Sequence, residues 1–144
     1  MKTLDDILKL WNTDSEMDST EPSKEILKIP KLHNKYLTIL TEHKVAEKKA
    51  NFDYLKMKKI KLEYYSGKMD KDDLEKYGWQ QFRFTLKSDM SVYLEADSDL
   101  IKLLEKRMYH EEICSVVESI MNELKQRAWQ LKSYIQWEMF VAGN

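Results

Sequence analysis

The sequence predicts a mainly α protein in which a long central helix and a long C-terminal helix flank a small β-hairpin. Three observations carry the prediction. Leu32 to Tyr65 contains no Gly or Pro, and neither does the stretch from Asp99 to Ala142. Between them, Phe82, Phe84 and Leu86 alternate with Arg83, Thr85 and Lys87, the period-two pattern of a strand. With only three Gly and two Pro and 34% charged residues, the composition favours charged helices over a turn-rich β protein. At 144 residues the chain fits a single domain, enough to bury roughly two thirds of its unfolded surface.

At the N-terminus, Thr3 can cap a short helix, with Asp6 three positions on and Leu4, Ile7, Leu8 and Trp11 forming one apolar edge. Residues 12–20 are acidic, rich in Ser and Thr and without periodicity, which predicts a flexible connector. Residues 1–21 thus read as a tethered acidic arm, serving either as a lid on the core or as a partner-binding element. Ser19, Thr20 and Pro22 are start signals for a second helix, and Pro30 is expected to kink or interrupt it.

From Leu32 onward, at about 100° per residue, Tyr36, Ile39, His43, Ala46, Ala50, Tyr54, Met57 and Tyr64 share a face that reads as core. The opposite side carries Lys44, Lys48 and Lys59, with Phe52 and Leu55 between them and Lys49 and Lys56 at the margin. Amines interleaved with apolar groups can hold a single nucleic-acid strand, since amines meet phosphates and apolar faces receive bases. They can equally form a solvated helix surface.

Gly67 is the natural end of this helix, because glycine enters the left-handed conformation without steric cost. Asp70 to Tyr77 predicts one or two helical turns ending at Gly78, and residues 79–87 and 92–96 predict the hairpin. Asp97, Ser98 and Asp99 offer N-caps for the last helix, which stops at Gly143. In it Val117, Met121, Leu124, Ala128, Leu131, Ile135, Met139 and Ala142 recur at spacings of three and four, while Trp129, Trp137 and Phe140 project elsewhere. An apolar pattern on two faces calls for two packing partners, the chain's own long helix and another copy.

Charge is polarised although the total is only −1. Residues 1–21 sum to −4 and residues 44–68 to +5, a difference that acts locally because exposed charges are screened beyond about 10 Å. Cys114 is the only cysteine, which excludes an internal disulfide and points to a reducing, cytosolic compartment. No apolar run has the roughly 18 residues of a membrane span, and the N-terminus lacks a signal-peptide layout. His33, His43 and His110 have no metal-ligand spacing, and no phosphate-binding glycine loop is present. The reading is therefore of a non-enzyme without metal or cofactor, a carboxylate-based enzyme being the remote alternative.

Residues 59–67, Lys-Ile-Lys-Leu-Glu-Tyr-Tyr-Ser-Gly, resemble the Lys-x-Arg-Leu-Asp-Tyr-Tyr-Ser-Gly signature of the UvsY-type recombination mediators of T-even-like bacteriophages. Outlying agreements at 18–20, Lys48 and Lys49, Leu86 with Ser88 and Asp89, and 140–143 extend the resemblance over nearly the whole chain. It implies a single-stranded-DNA-binding protein in the host cytoplasm, assembled as a ring-like homo-oligomer of six or seven subunits. Such a protein helps a phage recombinase displace the phage single-strand-binding protein from DNA. By position, Lys59 and Lys61 match the family's basic DNA-binding pair, with Lys in place of Arg at 61 and Glu in place of Asp at 63. The C-terminal helix corresponds to the family's assembly region.

The expected organisation is thus an N-terminal arm and linker (1–21), a basic DNA-binding region (22–78), the hairpin (79–96) and an oligomerisation helix (97–144). Lys56, Lys58, Lys48, Lys49 and Lys68 are expected to assist Lys59 and Lys61, and Tyr64 and Tyr65 either stack on bases or anchor the helix end. The alternative function is a DNA-independent helical assembly or adaptor protein. One geometric conflict stands out. Residues two apart on a helix diverge by about 200°, which puts Lys59 on the exposed side and Lys61 on the core stripe. Either the helix loosens near residue 60, or the Lys61 stem reaches around, or a neighbouring subunit comes to it.

Overall fold

The computed structural model describes residues 1–83 and 85–143 and contains five helices among them: α1 (Leu4–Asp14), α2 (Pro22–Tyr65), α3 (Lys71–Tyr77), α4 (Met90–Glu95) and α5 (Ser98–Val141). Two compact units are formed, one by Met1–Val45 with the chain from His110 onward, the other by Ala46–Tyr109. Helices α2 and α5 each contribute a stretch to both.

In the first unit, α1 starts with the capping box expected at Thr3. The Thr3 hydroxyl accepts from the Asp6 N–H at 3.2 Å while the Asp6 carboxylate accepts from the Thr3 N–H at 3.0 Å. Ile7 then enters a core with Tyr36, Ile39 and Leu40 of α2 and Ile113, Cys114, Val117, Ile120 and Leu124 of α5. Each such side chain, fully buried, stabilises by about 1.5–3 kcal/mol. The helical arm is therefore a lid on this core. Its connector starts later than expected, because α1 runs on to Asp14. Asp14 accepts from Lys35 at 2.7 Å and from the Tyr36 hydroxyl at 2.8 Å, and Arg127 donates to the Asp14 and Ser15 carbonyls at 3.1 and 3.2 Å.

His43, expected as a packed residue, is buried against His110 with their Nδ1 atoms 2.9 Å apart, and its Nε2 lies 2.9 Å from the Lys2 carbonyl. A carbonyl can only accept, so the His43 Nε2 donates to Lys2, and the neutral His43 ring then accepts at Nδ1 from the His110 Nδ1–H.

Pro30 does not interrupt α2; it lies inside a continuous helix. Its side is exposed, so water can replace the backbone bond that proline cannot donate.

In the second unit, α2 closes with a pair of bonds, Lys68 N–H to the Glu63 carbonyl and Gly67 N–H to the Tyr64 carbonyl, both 3.1 Å. This is a Schellman end, and it requires the positive φ of 74° that Gly67 adopts. The same closure ends α3 at Gly78. The β-hairpin is absent: among the described residues there is no strand. The first half of the expected hairpin has no regular structure, and the second half is α4; Phe84 lies outside the described residues. Alternation over so few residues does not separate a strand from a helical turn. Here the rings pack on other rings instead of building a ladder, Phe82 meeting Tyr64, Tyr65 and Tyr93 at centroid distances of 5.5, 4.9 and 5.4 Å.

The C-terminal seam divides. Val117, Leu124 and Leu131 are buried in the chain's own fold and Met121 packs against the core. Ala128, Trp129, Trp137 and Phe140 are exposed and Ile135 is half-buried. Spacing alone did not distinguish an internal seam from one between copies, because both use the same period. Leu124→Ala is expected to lower the unfolding free energy by about 2–5 kcal/mol in urea, and Thr3→Ala by about 1 kcal/mol. A Leu124→Ala loss below about 1 kcal/mol would contradict the core assigned to it.

Candidate nucleic-acid interface

The C-terminal half of α2 presents two chemically different sides. On the solvent side, Lys48, Phe52, Leu55, Lys59 and Leu62 follow spacings of four and three and so form one stripe along the helix. Lys48 and Lys59 are exposed, and so are Phe52, Leu55 and Leu62 at 59%, 51% and 45%. Lys49 and Lys56 flank the stripe and are also exposed. Lys58 lies further round, its ammonium 5.9 Å from the Tyr54 ring centroid, and Lys68 follows the end of the helix. None of Lys48, Lys49, Lys56, Lys58, Lys59 and Lys68 has an ion-pair partner among the described residues. Lys44, by contrast, pairs with Glu118 at 3.5 Å.

The other side holds Lys61. The helix does not loosen near residue 60, so Lys61 points where its register sends it, inward, with 5% of its surface exposed. Its ammonium lies 3.1 Å from Asp97 and 2.8 Å from Asp99, and 3.9 Å from the centroid of the Trp79 ring. Burial alone would lower its pKa, but the two carboxylates outweigh that and hold it above the ordinary lysine value.

Asp97 joins two helices, α2 and α5. One carboxylate oxygen accepts from the Leu100 N–H at 3.0 Å, capping α5, while the other receives Lys61 and the Tyr65 hydroxyl. Burial pushes its pKa up, and the bonds from Tyr65, Leu100 and Lys61 pull it below the ordinary carboxylate range. Burial, with Asp97 adding to it, pushes the Tyr65 phenol well above its normal value.

Tyr64 and Tyr65 are half-buried in the surrounding ring cluster. Tyr64 packs on Tyr65, Trp79 and Phe82 at 5.2, 5.0 and 5.5 Å, and Tyr65 also meets Tyr93 at 5.6 Å. They anchor the helix end. Asp97, Asp99, Trp79 and Tyr93 were missed as members of this cluster. The available signal is Lys61 itself, since a lysine on an apolar stripe demands a buried counter-ion, whereas the local sequence around Asp97 signals only a cap. No group of three or more His, Cys, Asp or Glu among the described residues could hold a metal. No helix among them is long and apolar enough to cross a membrane.

A basic stripe backed by a tyrosine-anchored helix end is the geometry at the residues that carry the signature. The family profile described as "Recombination, repair and ssDNA binding protein UvsY" matches residues 10–144. The chain belongs to the UvsY family. Among its relatives is the recombination protein uvsY of Enterobacteria phage T4, 24% identical over 141 residues, with 98% of each chain covered. Crystal structures of the bacteriophage T4 recombination mediator protein UvsY share the fold. The lattice type II form gives a TM-score of 0.86 at 24% identity over 99% of both chains. The lattice type I form gives 0.83 at 23% identity over 94% of this chain and 98% of that one. The mainly helical architecture is therefore that of the UvsY family.

Two outcomes follow from the Lys61 cluster. Lys61→Ala strands Asp97 as an unpaired buried charge and is expected to cost about 3–5 kcal/mol in chemical denaturation, whereas Lys59→Ala stays within about 0.5 kcal/mol. The second concerns acid. Because the folded pKa of Asp97 is depressed, the stability it contributes is present above its unfolded value of about 3.9 and is lost as pH falls through the folded value. Asp97→Asn should therefore be less stable at neutral pH and lose less on acidification than the parent. A parallel acid limb in the two proteins would refute the linkage.

Proposed function

We propose that this protein is a non-enzymatic recombination mediator of the host cytoplasm that holds single-stranded DNA on the exposed side of α2. In this reading Lys48, Lys49, Lys56, Lys58 and Lys59, with Lys68 beyond the helix, are the phosphate contacts. The observation that carries it is the set of exposed lysines, in and on either side of the family signature, that have no carboxylate partner among the described residues. A lysine already paired gains little from a phosphate, because it must give up one anion to meet another. For the same reason Lys61, held by Asp97 and Asp99, acts by fixing the helix end that carries the face. Tyr64 and Tyr65 share that anchoring role.

Each subunit would contribute a modest electrostatic contact, and a ring-like homo-oligomer of six or seven copies would multiply these through effective concentration. The exposed apolar groups Trp129, Trp137 and Phe140, with Ala128 and Ile135, supply the surface for assembly. A strand held along such a ring, ordered and partly stripped of its single-strand-binding protein, is a substrate on which a phage recombinase can load, in homologous recombination and repair. The arm at 1–21, the basic region within 22–78 and the helix at 97–144 then serve as lid, DNA contact and assembly element.

The test is binding to a labelled single-stranded oligonucleotide across a salt series. Affinity should fall steeply with salt, and Lys48→Ala with Lys59→Ala should reduce the log–log slope by roughly 0.7 for each lysine removed. Parent-like affinity and slope in this double variant, with assembly intact, would sink the assignment in favour of a DNA-independent adaptor. Light scattering should give an oligomer, and a monomer at all concentrations would contradict the ring.

A further inference from the structure

Phe52 is unusual among the rings of α2. Tyr36 is buried, and Tyr54, Tyr64 and Tyr65 are partly covered, whereas Phe52 is more than half exposed. An exposed phenylalanine usually needs no explanation when it is isolated on a polar surface. This one is surrounded on its own helix. Lys48 and Lys49 lie four and three residues before it, Leu55 and Lys56 three and four residues after, and Lys59 one further turn along the stripe. All four lysines are exposed and lack an ion-pair partner among the described residues.

These surroundings select the occupant. A second apolar helix laid on Phe52 and Leu55 would desolvate or crowd four ammonium groups, so an apolar partner is disfavoured. A partner that suits both must be polyanionic and must offer flat apolar faces between its charges. A single nucleic-acid strand does this, with phosphates for the amines and exposed base faces for the ring. A duplex satisfies the amines equally well but hides its base faces in the stack. Lys48 and Lys59 stand about 16 Å apart along the helix at 1.5 Å per residue, which leaves room between them for a base on Phe52.

Resting on the single-strand reading above, we propose that Phe52, with Leu55 beside it, is the platform on which a base of the bound strand stacks. It gives α2 its preference for single strands over duplex. The amines supply attraction without that preference. Tyr64 and Tyr65 cannot take this role while their faces are spent on Trp79, Phe82 and Tyr93.

The experiment compares the parent, Phe52→Ala, Phe52→Trp and Lys59→Ala on three labelled probes of equal length. The probes are an oligothymidylate, the same backbone with abasic sites throughout, and a duplex, each over a salt series, with oligomeric state followed by light scattering. Phe52→Ala should weaken oligothymidylate binding roughly tenfold with an unchanged salt slope, because no counterion is involved. It should leave binding to the abasic strand and the duplex as in the parent, and Phe52→Trp should retain the preference for single strands. Lys59→Ala should weaken all three probes and lower the slope. The platform is overturned if Phe52→Ala binds oligothymidylate like the parent, if it weakens the abasic strand equally, or if its only effect is to change the oligomer. Failure of the parent itself to bind oligothymidylate at any salt would overturn the single-strand reading as a whole.

Discussion

A lysine ammonium cannot be buried without anions, and in the second unit this constraint organises everything around Asp97. Removing an ion from water costs several kcal/mol even after relaxation, and Lys61 recovers it through two carboxylates and the face of the Trp79 ring. Because Asp97 is also the cap of α5 and the acceptor for Tyr65, one side chain ties the end of α2 to the start of α5. Residues 66–96, with α3 and α4, form a segment fastened at both ends. The rings of Tyr64, Tyr65, Trp79, Phe82 and Tyr93 cover the junction. They lower the local dielectric and so strengthen the ion pairs they cover.

The same helical geometry divides the lysines into two classes. With about 100° between successive residues, Lys59 and Lys61 cannot share a side, and the regular helix through Tyr65 leaves no way around this. Lys61 is committed to internal carboxylates. Lys48, Lys49, Lys56 and Lys59 remain hydrated and available, held in fixed order by a helix whose far end is locked. A face built this way is preorganised, so the strand binding proposed for it would carry little ordering cost. Change at Lys61 would act on this face through the fold, and change at Lys59 directly.

Much of this was legible in the sequence, for identifiable reasons. Thr3 and Asp6 form their capping box, Gly67 and Gly78 end their helices, and the apolar stripe through Tyr36, Ile39, His43 and Ala50 is buried. Each depends on neighbours close in sequence or on a long periodic run. The interruption expected at Pro30 does not occur, because the cost of a proline depends on whether the freed carbonyl can meet water, a matter of exposure that the local sequence does not contain. The hairpin was misread because Phe82 finds its partners some 17 residues back, at Tyr64 and Tyr65, and not across a strand pair. The periodicity put Lys61 on the core side but could not name Asp97 and Asp99, which lie more than 30 residues away. Val117 and Leu124 showed the right period for a seam, yet period alone does not say whose surface fills it. Family resemblance suggests the role of the basic region, and the geometry separates its exposed lysines from Lys61, which is held by Asp97 and Asp99.

The central claim is that the strand lies on the solvent side of α2 and not on the tyrosine-anchored side. The most direct measurement is ultraviolet cross-linking of a halogenated oligopyrimidine to the intact protein, with the modified residue located by mass spectrometry. The account predicts attachment at Phe52 or its immediate neighbours on that stripe. Attachment confined to Tyr64, Tyr65 and Trp79, or to Trp129, Trp137 and Phe140, would contradict it.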